Sequence, residues 1–269
     1  VKDQFMQITK ASFSFDDLTK WLKENLHMGS IDVNIMTKVD RKNYFKKEEL
    51  PSEYNDAHAA SRGYANSDLS SSVIFSAGMN PRLYGYIADF DDFFPDRDGN
   101  IKKKIVLKVS DFRSAIIQGK FLAKKGLWVS EYRIESGLNC GGHAFATDGY
   151  LMGPILAEFR DKKQDLIDET YNVCKIALHA KNKIIPDQTL SIKVTAQGGV
   201  GTAEEHDFLI DHYKLDSVGW GTPFLLVPEV TTVDYATRNQ LQKAKEKDLY
   251  LSNVSPLGVP FNNLRNASK

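Results

Sequence analysis

The chain has 269 residues, 42% of them hydrophobic, and its 35 lysines and arginines are balanced by 35 aspartates and glutamates. That balance excludes the strong one-signed field by which a domain holds nucleic acid or an anionic bilayer as its main partner, and no apolar stretch reaches the roughly 20 residues of a membrane-spanning helix. The two cysteines, Cys140 and Cys174, make no disulfide framework and point to a reducing compartment, so a cytoplasmic protein is expected.

The opening residues, VKDQFMQITK, do not resemble a signal peptide and include no initiator methionine, so a fragment of a longer protein or a processed product is expected. From Phe15 to Leu26, Leu18, Trp21, Leu22 and Leu26 fall at helical spacing, with Ser14 and Asp16-Asp17 as cap and acidic first turn. Ile31 to Met36 has the apolar, β-branched pattern of a strand. Val39 to Leu69 is polar and is expected as a long loop, insertion or lid. Ser72 to Ser76 is a strand, Asp91 to Asn100 (DDFFPDRDGN) a turn-rich connection, and Lys104 to Val109 a strand. Ser114 to Lys125 is a helix that Gly126 ends. There follow a strand at Leu127 to Glu131, a long helix at Leu156 to Ala180 with Cys174 on its apolar face, and a strand at Ser191 to Ala196. A short helix at Ala203 to Tyr213 and a last strand at Leu215 to Trp220 complete the pattern. Strands spaced by helices imply βαβ units in one α/β domain over residues 1–269, its parallel sheet either doubly wound or closed as a barrel.

In both architectures ligands gather at the carboxyl ends of the strands. Four marked segments fall there: Ser76 to Pro81, Gly137 to His143 within ESGLNCGGHAF, Gln197 to Thr202 (QGGVGT), and Gly219 to Phe224 (GWGTPF). Glycines between a strand end and a helix start leave backbone N–H groups free to face an anion, with the helix dipole assisting. Gly198-Gly199 and Gly219-Gly221 stand at consecutive strand ends, where barrels bind phosphate, so a phosphate-bearing cofactor is expected.

Thr195 to Thr202 (TAQGGVGT) and Leu215 to Leu225 (LDSVGWGTPFL) together resemble the paired phosphate loops of the nitronate monooxygenase (2-nitropropane dioxygenase) family. That family consists of FMN-binding TIM barrels and includes flavin-dependent enoyl-acyl-carrier-protein reductases. Cys140-Gly141-Gly142-His143 is similar to the second half of its Glu-Ala-Gly-Gly-His motif, with Asn139-Cys140 standing where the family has Glu-Ala. Asn34 resembles the asparagine the family places at the flavin, and Lys108 stands where many members have glutamine. The resemblance implies a TIM-barrel-like (β/α)8 fold with FMN as cofactor. It implies cofactor contacts from Asn34, Lys108, Gly198, Gly199, Gly219, Gly221 and Thr222, with His143 as acid/base on a small nitronate-like substrate. The family's first one or two strands have no counterpart: six strands are countable where a closed barrel of this kind needs eight.

Two function classes therefore stand side by side. One is an FMN-dependent oxidoreductase acting on a small molecule. The other is a non-catalytic or truncated barrel that binds a phosphorylated ligand or partner and forms homo-oligomers through open sheet edges. His143 serves catalysis in the first and hydrogen-bonds a loop carbonyl in the second. Cys140 is expected as a small buried residue. His206, Asp207, Asp211 and His212 are read as a solvated helix face, and no metal site is expected.

Overall fold

The structure, a computed structural model, describes residues 14–25, 29–35, 40–76, 78–135, 152–198, 200, 202–220, 226–229, 232–252 and 261–266. The chain divides into two compact units, residues 1–31 and 32–269. In the first, α1 (Phe15–Asn25) begins where the sequence places it, with the Ser14 hydroxyl accepting from the Asp17 N–H at 3.1 Å. Its half-buried residues include the apolar Leu18, Trp21 and Leu22.

The second unit opens with β1 (Val33–Ile35). The segment from Val39 to Leu69, expected as a long loop, instead contains a two-stranded hairpin, β2 (Tyr44–Phe45) with β3 (Glu48–Glu49), a 3₁₀ turn, and α2 (Asp56–Ala65). Its polar residues obscure a helix that buries Ala57, His58, Ser61, Tyr64 and Ala65. The helix is capped from a distance: Asp40 accepts from the Ala57 N–H at 2.8 Å and contacts His58 Nδ1 at 2.5 Å. A sequence pattern does not display a cap drawn from seventeen residues upstream of the N–H it receives.

β4 (Ser71–Phe75) leads to a short helix, α3 (Pro81–Tyr86), which the sequence reading leaves unassigned and which Asn80 caps through its side chain. β5 (Lys103–Val109), α4 (Phe112–Ala123) and β6 (Val129–Glu135) follow. Gly126 adopts φ +76 beyond α4, as a glycine stop requires. α5 (Met152–Ala180), β7 (Lys193–Gln197), α6 (Ala203–Tyr213) and β8 (Ser217–Gly219) complete the repeating part. Beyond it lie α7 (Tyr235–Lys243) and an antiparallel pair, β9 (Leu249–Ser252) with β10 (Phe261–Leu264).

Six strands pair in parallel in the order β1-β4-β5-β6-β7-β8. A doubly wound sheet reverses its strand order once. Here the order follows the chain throughout, so each crossover adds the next strand on the same side, as in a (β/α) barrel. The fold is TIM-barrel-like, with six barrel strands among the described residues.

The sheet's outer face is apolar. Val73 and Phe75, Ile105, Leu107 and Val109, Tyr132 and Ile134, and Val194 and Ala196 join one buried cluster with Leu122 of α4 and Phe159 of α5. A buried lysine closes the amino-terminal edge of this layer. Lys103, fully buried, donates from Nζ to the Ser67 carbonyl at 2.9 Å, the Ser67 hydroxyl at 2.8 Å and the Leu69 carbonyl at 2.5 Å, above the ring of Tyr64. Desolvation lowers its pKa, and these acceptors with the ring offset the cost of burying its charge.

Two predictions follow from the packing. A Cβ on Gly119 would collide with the hydroxyl of fully buried Tyr132. Gly119→Ala should therefore destabilise by about 2 kcal/mol, although alanine is the better helix former by about 1 kcal/mol; a urea midpoint at or above the wild-type value would contradict this packing. The second concerns alkali. Burial pushes the Cys174 thiol from 9.0 to about 12. A pKa raised on folding gives stability that is complete below pH 9.0 and is lost as pH rises toward the folded value. Urea titrations at about pH 8 and about pH 10 should show Cys174→Ala losing less stability than wild type across that step, by about 1.4 kcal/mol in all, because only the part of the step above pH 9.0 contributes fully.

Candidate functional site

Parallel pairing brings all six carboxyl ends to one edge, and the inner face near that edge is charged. Barrel interiors are ordinarily filled by Val, Ile and Leu. Here Lys104, Val106 and Lys108 alternate with the outward-facing apolar residues of β5. On β6 the register shifts: Ile105 pairs with Val129, but Val106 pairs with Glu131, so Ser130 is an extra residue. That bulge inverts the alternation. Val129 before it and Tyr132 and Ile134 after it all reach the apolar layer, and Glu131, Arg133 and Glu135 turn inward.

The inward groups bond to one another. Lys108 Nζ lies 3.2 Å from Glu135 Oε1, with the two side chains 14% and 1% exposed. Arg133 donates to Glu131 Oε1 from Nε at 2.9 Å and from Nη2 at 2.8 Å. The Thr195 hydroxyl donates to the same oxygen at 2.7 Å from the next strand. Lys108, Arg133, Thr195 and Ser217 form one row across four strands, and Glu135, Gln197 and Gly219 form the row nearer the carboxyl edge.

The residue after β7 and the last residue of β8 meet at that edge. Gly198 has φ +92, a conformation that side chains rarely adopt, and its N–H points to the Gly219 carbonyl at 3.5 Å. At the start of α6, Thr202 and Glu205 form a capping box, with the Thr202 N–H donating to Glu205 and the Glu205 N–H to the Thr202 hydroxyl. Helix geometry leaves the Ala203 and Glu204 N–H groups without intrahelical partners. Such free N–H groups can face an anion, but Glu204 and Glu205 oppose its charge, and an anion bound there has to share the turn with the capping box. Trp220, directly after β8, donates from Nε1 to His206 Nδ1 at 2.9 Å and ties the β8 end to α6.

Of the residues the sequence singles out, Lys108, Gly198 and Gly219 share the carboxyl edge. Asn34 is exposed on β1, at the opposite end of the sheet from β8 and one row closer to the amino-terminal side than Lys108. His143, Cys140, Gly199, Gly221 and Thr222 lie outside the described residues. Among the described residues no group of three or more His, Cys, Asp or Glu side chains is placed to hold a metal ion. His212 stacks on Phe208, and His206 accepts from Trp220. Tyr84 belongs to the core, fully buried and bonded to Gln118. The sequence motifs do not include Arg133, place Thr195 only within the glycine-loop segment, and give Glu131 and Glu135 no role. The signal available in the sequence was the alternation of Glu131, Arg133 and Glu135.

No protein-family model matches the chain, and no curated protein sequence matches it either. Among solved structures it is similar to the enoyl reductase domain of MlnA, from the macrolactin biosynthesis cluster of Bacillus amyloliquefaciens. The TM-score is 0.50 at 15% sequence identity, and the match covers 95% of this chain and 56% of that one. The chain therefore spans little more than half the length of that domain, and the likeness is one of fold. Among the described residues no helix is long and apolar enough to cross a membrane.

The inner ion pair makes a prediction of its own. Removing one partner of a buried pair leaves the other charge uncompensated, at a cost of about 3–5 kcal/mol. Lys108→Met should destabilise on that scale, and Lys108→Met with Glu135→Gln should recover most of the loss. A double variant no more stable than the single one, by urea denaturation, would show that the two groups do not depend on each other.

Proposed function

We propose that the chain carries the active site of an FMN-dependent oxidoreductase acting on a small, nitronate-like molecule. The observation that carries this function is the convergence of the Gly198 and Gly219 loops with Lys108 at the carboxyl edge of a sequentially ordered parallel sheet. The similarity of fold to an enoyl reductase domain supports the reaction class, as does the resemblance of the glycine loops to those of flavin-binding barrels.

In this proposal the Gly198-Gly199 and Gly219-Gly221-Thr222 loops hold the FMN phosphate, with the free N–H groups of Ala203 and Glu204 directed at it. Lys108, steadied by Glu135, holds an oxygen-bearing edge of the isoalloxazine ring, and Asn34 contacts the cofactor from β1. Bound there, FMN would supply the two-electron acceptor. His143, which follows β6 in the sequence, takes or gives the substrate's proton, which suits an imidazole near neutral pH.

Purified protein should show a flavin band in its visible absorption spectrum at one FMN per chain, on its own or after addition of the cofactor. His143→Ala should then lower turnover of propane-2-nitronate by roughly 100-fold or more and leave flavin affinity nearly unchanged. A colourless protein that takes up no added FMN would return the barrel to the non-catalytic class. Unchanged turnover in the variant would remove His143 from the chemistry.

A further inference from the structure

We infer that Arg133, with Lys108 beside it, is a binding site for a planar two-oxygen anion, a carboxylate or a nitronate, and so selects a negatively charged substrate. The inference rests on taking this sheet end as the active site, and it assigns a role to a residue that the flavin motifs do not include.

A guanidinium has five N–H donors arranged along edges that match a planar pair of oxygens. Arg133 commits one edge, Nε and Nη2, to Glu131. Among the described residues no other carboxylate and no carbonyl pairs with it, so the edge formed by Nη1 and the second Nη2 hydrogen is available. The side chain is not sealed in the core, for 22% of it is exposed. Glu131 holds the guanidinium from one side and is itself fixed by Thr195. The fork is thereby preorganised, and little rotamer entropy remains to be lost when a ligand binds.

Lys108 is the direct cross-strand partner of Arg133, which places the two cations on strands about 4.8 Å apart. Lys108 keeps N–H groups beyond the one directed at Glu135. Among the described residues of β5, β6 and β7, the inner face carries four cations, Lys104, Lys108, Arg133 and Lys193, against two carboxylates, Glu131 and Glu135, with Asp32 just before β1 bonded to the Ser72 N–H. A cationic ligand entering here meets like charge, whereas a neutral amide offers the two-donor edge a single acceptor oxygen and no charge. An anion with two coplanar oxygens matches both the charge and the geometry.

Isothermal titration of the full chain, with and without added FMN, tests this with three probes of similar shape: propane-2-nitronate, isobutyrate and neutral isobutyramide. Wild type should bind at least one anion roughly 10-fold more tightly than the amide. Arg133→Gln should weaken anion binding by roughly 10- to 100-fold and leave the amide unchanged. Arg133→Lys should restore only part of the loss, because an ammonium lacks the fork. If Arg133→Gln does not fold, Glu131→Gln with Arg133→Gln removes both charges and is read in the same way. Preference for nitronate or for isobutyrate identifies which source supplies the anion. Equal anion affinity in wild type and variant, or no anion binding by wild type, overturns the inference. A protein that binds FMN but fails this test keeps its proposed function and loses only this site. One that binds anions through Arg133 but takes no FMN does the reverse.

Discussion

The extra residue at Ser130 decides what the interior of this barrel is made of. In a regular strand, side chains alternate strictly, and β6 begins with Val129 facing the helices. Without the bulge between the Ile105 and Val106 registers, Glu131, Arg133 and Glu135 would continue on the side of Val129, against the buried faces of α4 and α5. Three charged side chains in that layer would each cost several kilocalories per mole unless paired. The bulge exchanges them for Tyr132 and Ile134, and a local defect in pairing becomes a global sorting of apolar from charged groups. The same shift lays Arg133 beside Lys108 and Thr195, and the ion-pair rows depend on that register.

The outer layer makes the sorting possible by keeping the sheet in place at both ends. At the amino-terminal edge, Lys103 gathers two carbonyls and a hydroxyl of the turn before β4. Near the carboxyl end of β1, Asp40 reaches over to the start of α2 and to His58, whose ring also packs against Tyr86. Both are polar devices at the ends of an apolar layer, and both satisfy donors or acceptors that would otherwise be buried alone. The site end is consequently built on strands rather than on free loops, which is the condition for holding charged groups in a fixed geometry.

Much of this architecture is legible in the sequence because its signals are local. The six strands, the helix opened by Ser14, the helix stopped by Gly126 and the helix from Ala203 to Tyr213 announce themselves through periodicity, caps and glycine. The helix from Asp56 to Ala65 does not, because its buried face mixes alanines with His58 and Ser61, and its cap comes from Asp40. The site is legible to a different extent. Gly198 and Gly219 stand out because a turn with φ +92 and a close backbone approach call for glycine. Glu131, Arg133 and Glu135 do not, since the direction of a strand side chain depends on parity, and parity depends on a bulge that is defined only by pairing with β5.

The charged rows also constrain how any ligand can be received. As they stand, Lys108 with Glu135 and Arg133 with Glu131 are neutral pairs, which lets them persist where exposure is low. A new charge entering the mouth has to be compensated by groups already committed. That is feasible only because each cation is held along one side and has donors remaining on another. Had Lys108 and Arg133 been fully ringed by acceptors, the face would be a structural network closed to ligands; had they lacked carboxylates, it would repel itself in the empty barrel. The intermediate arrangement, half-satisfied cations steadied by one buried and one partly exposed carboxylate near the carboxyl edge, is stable without a ligand and remains able to bind one.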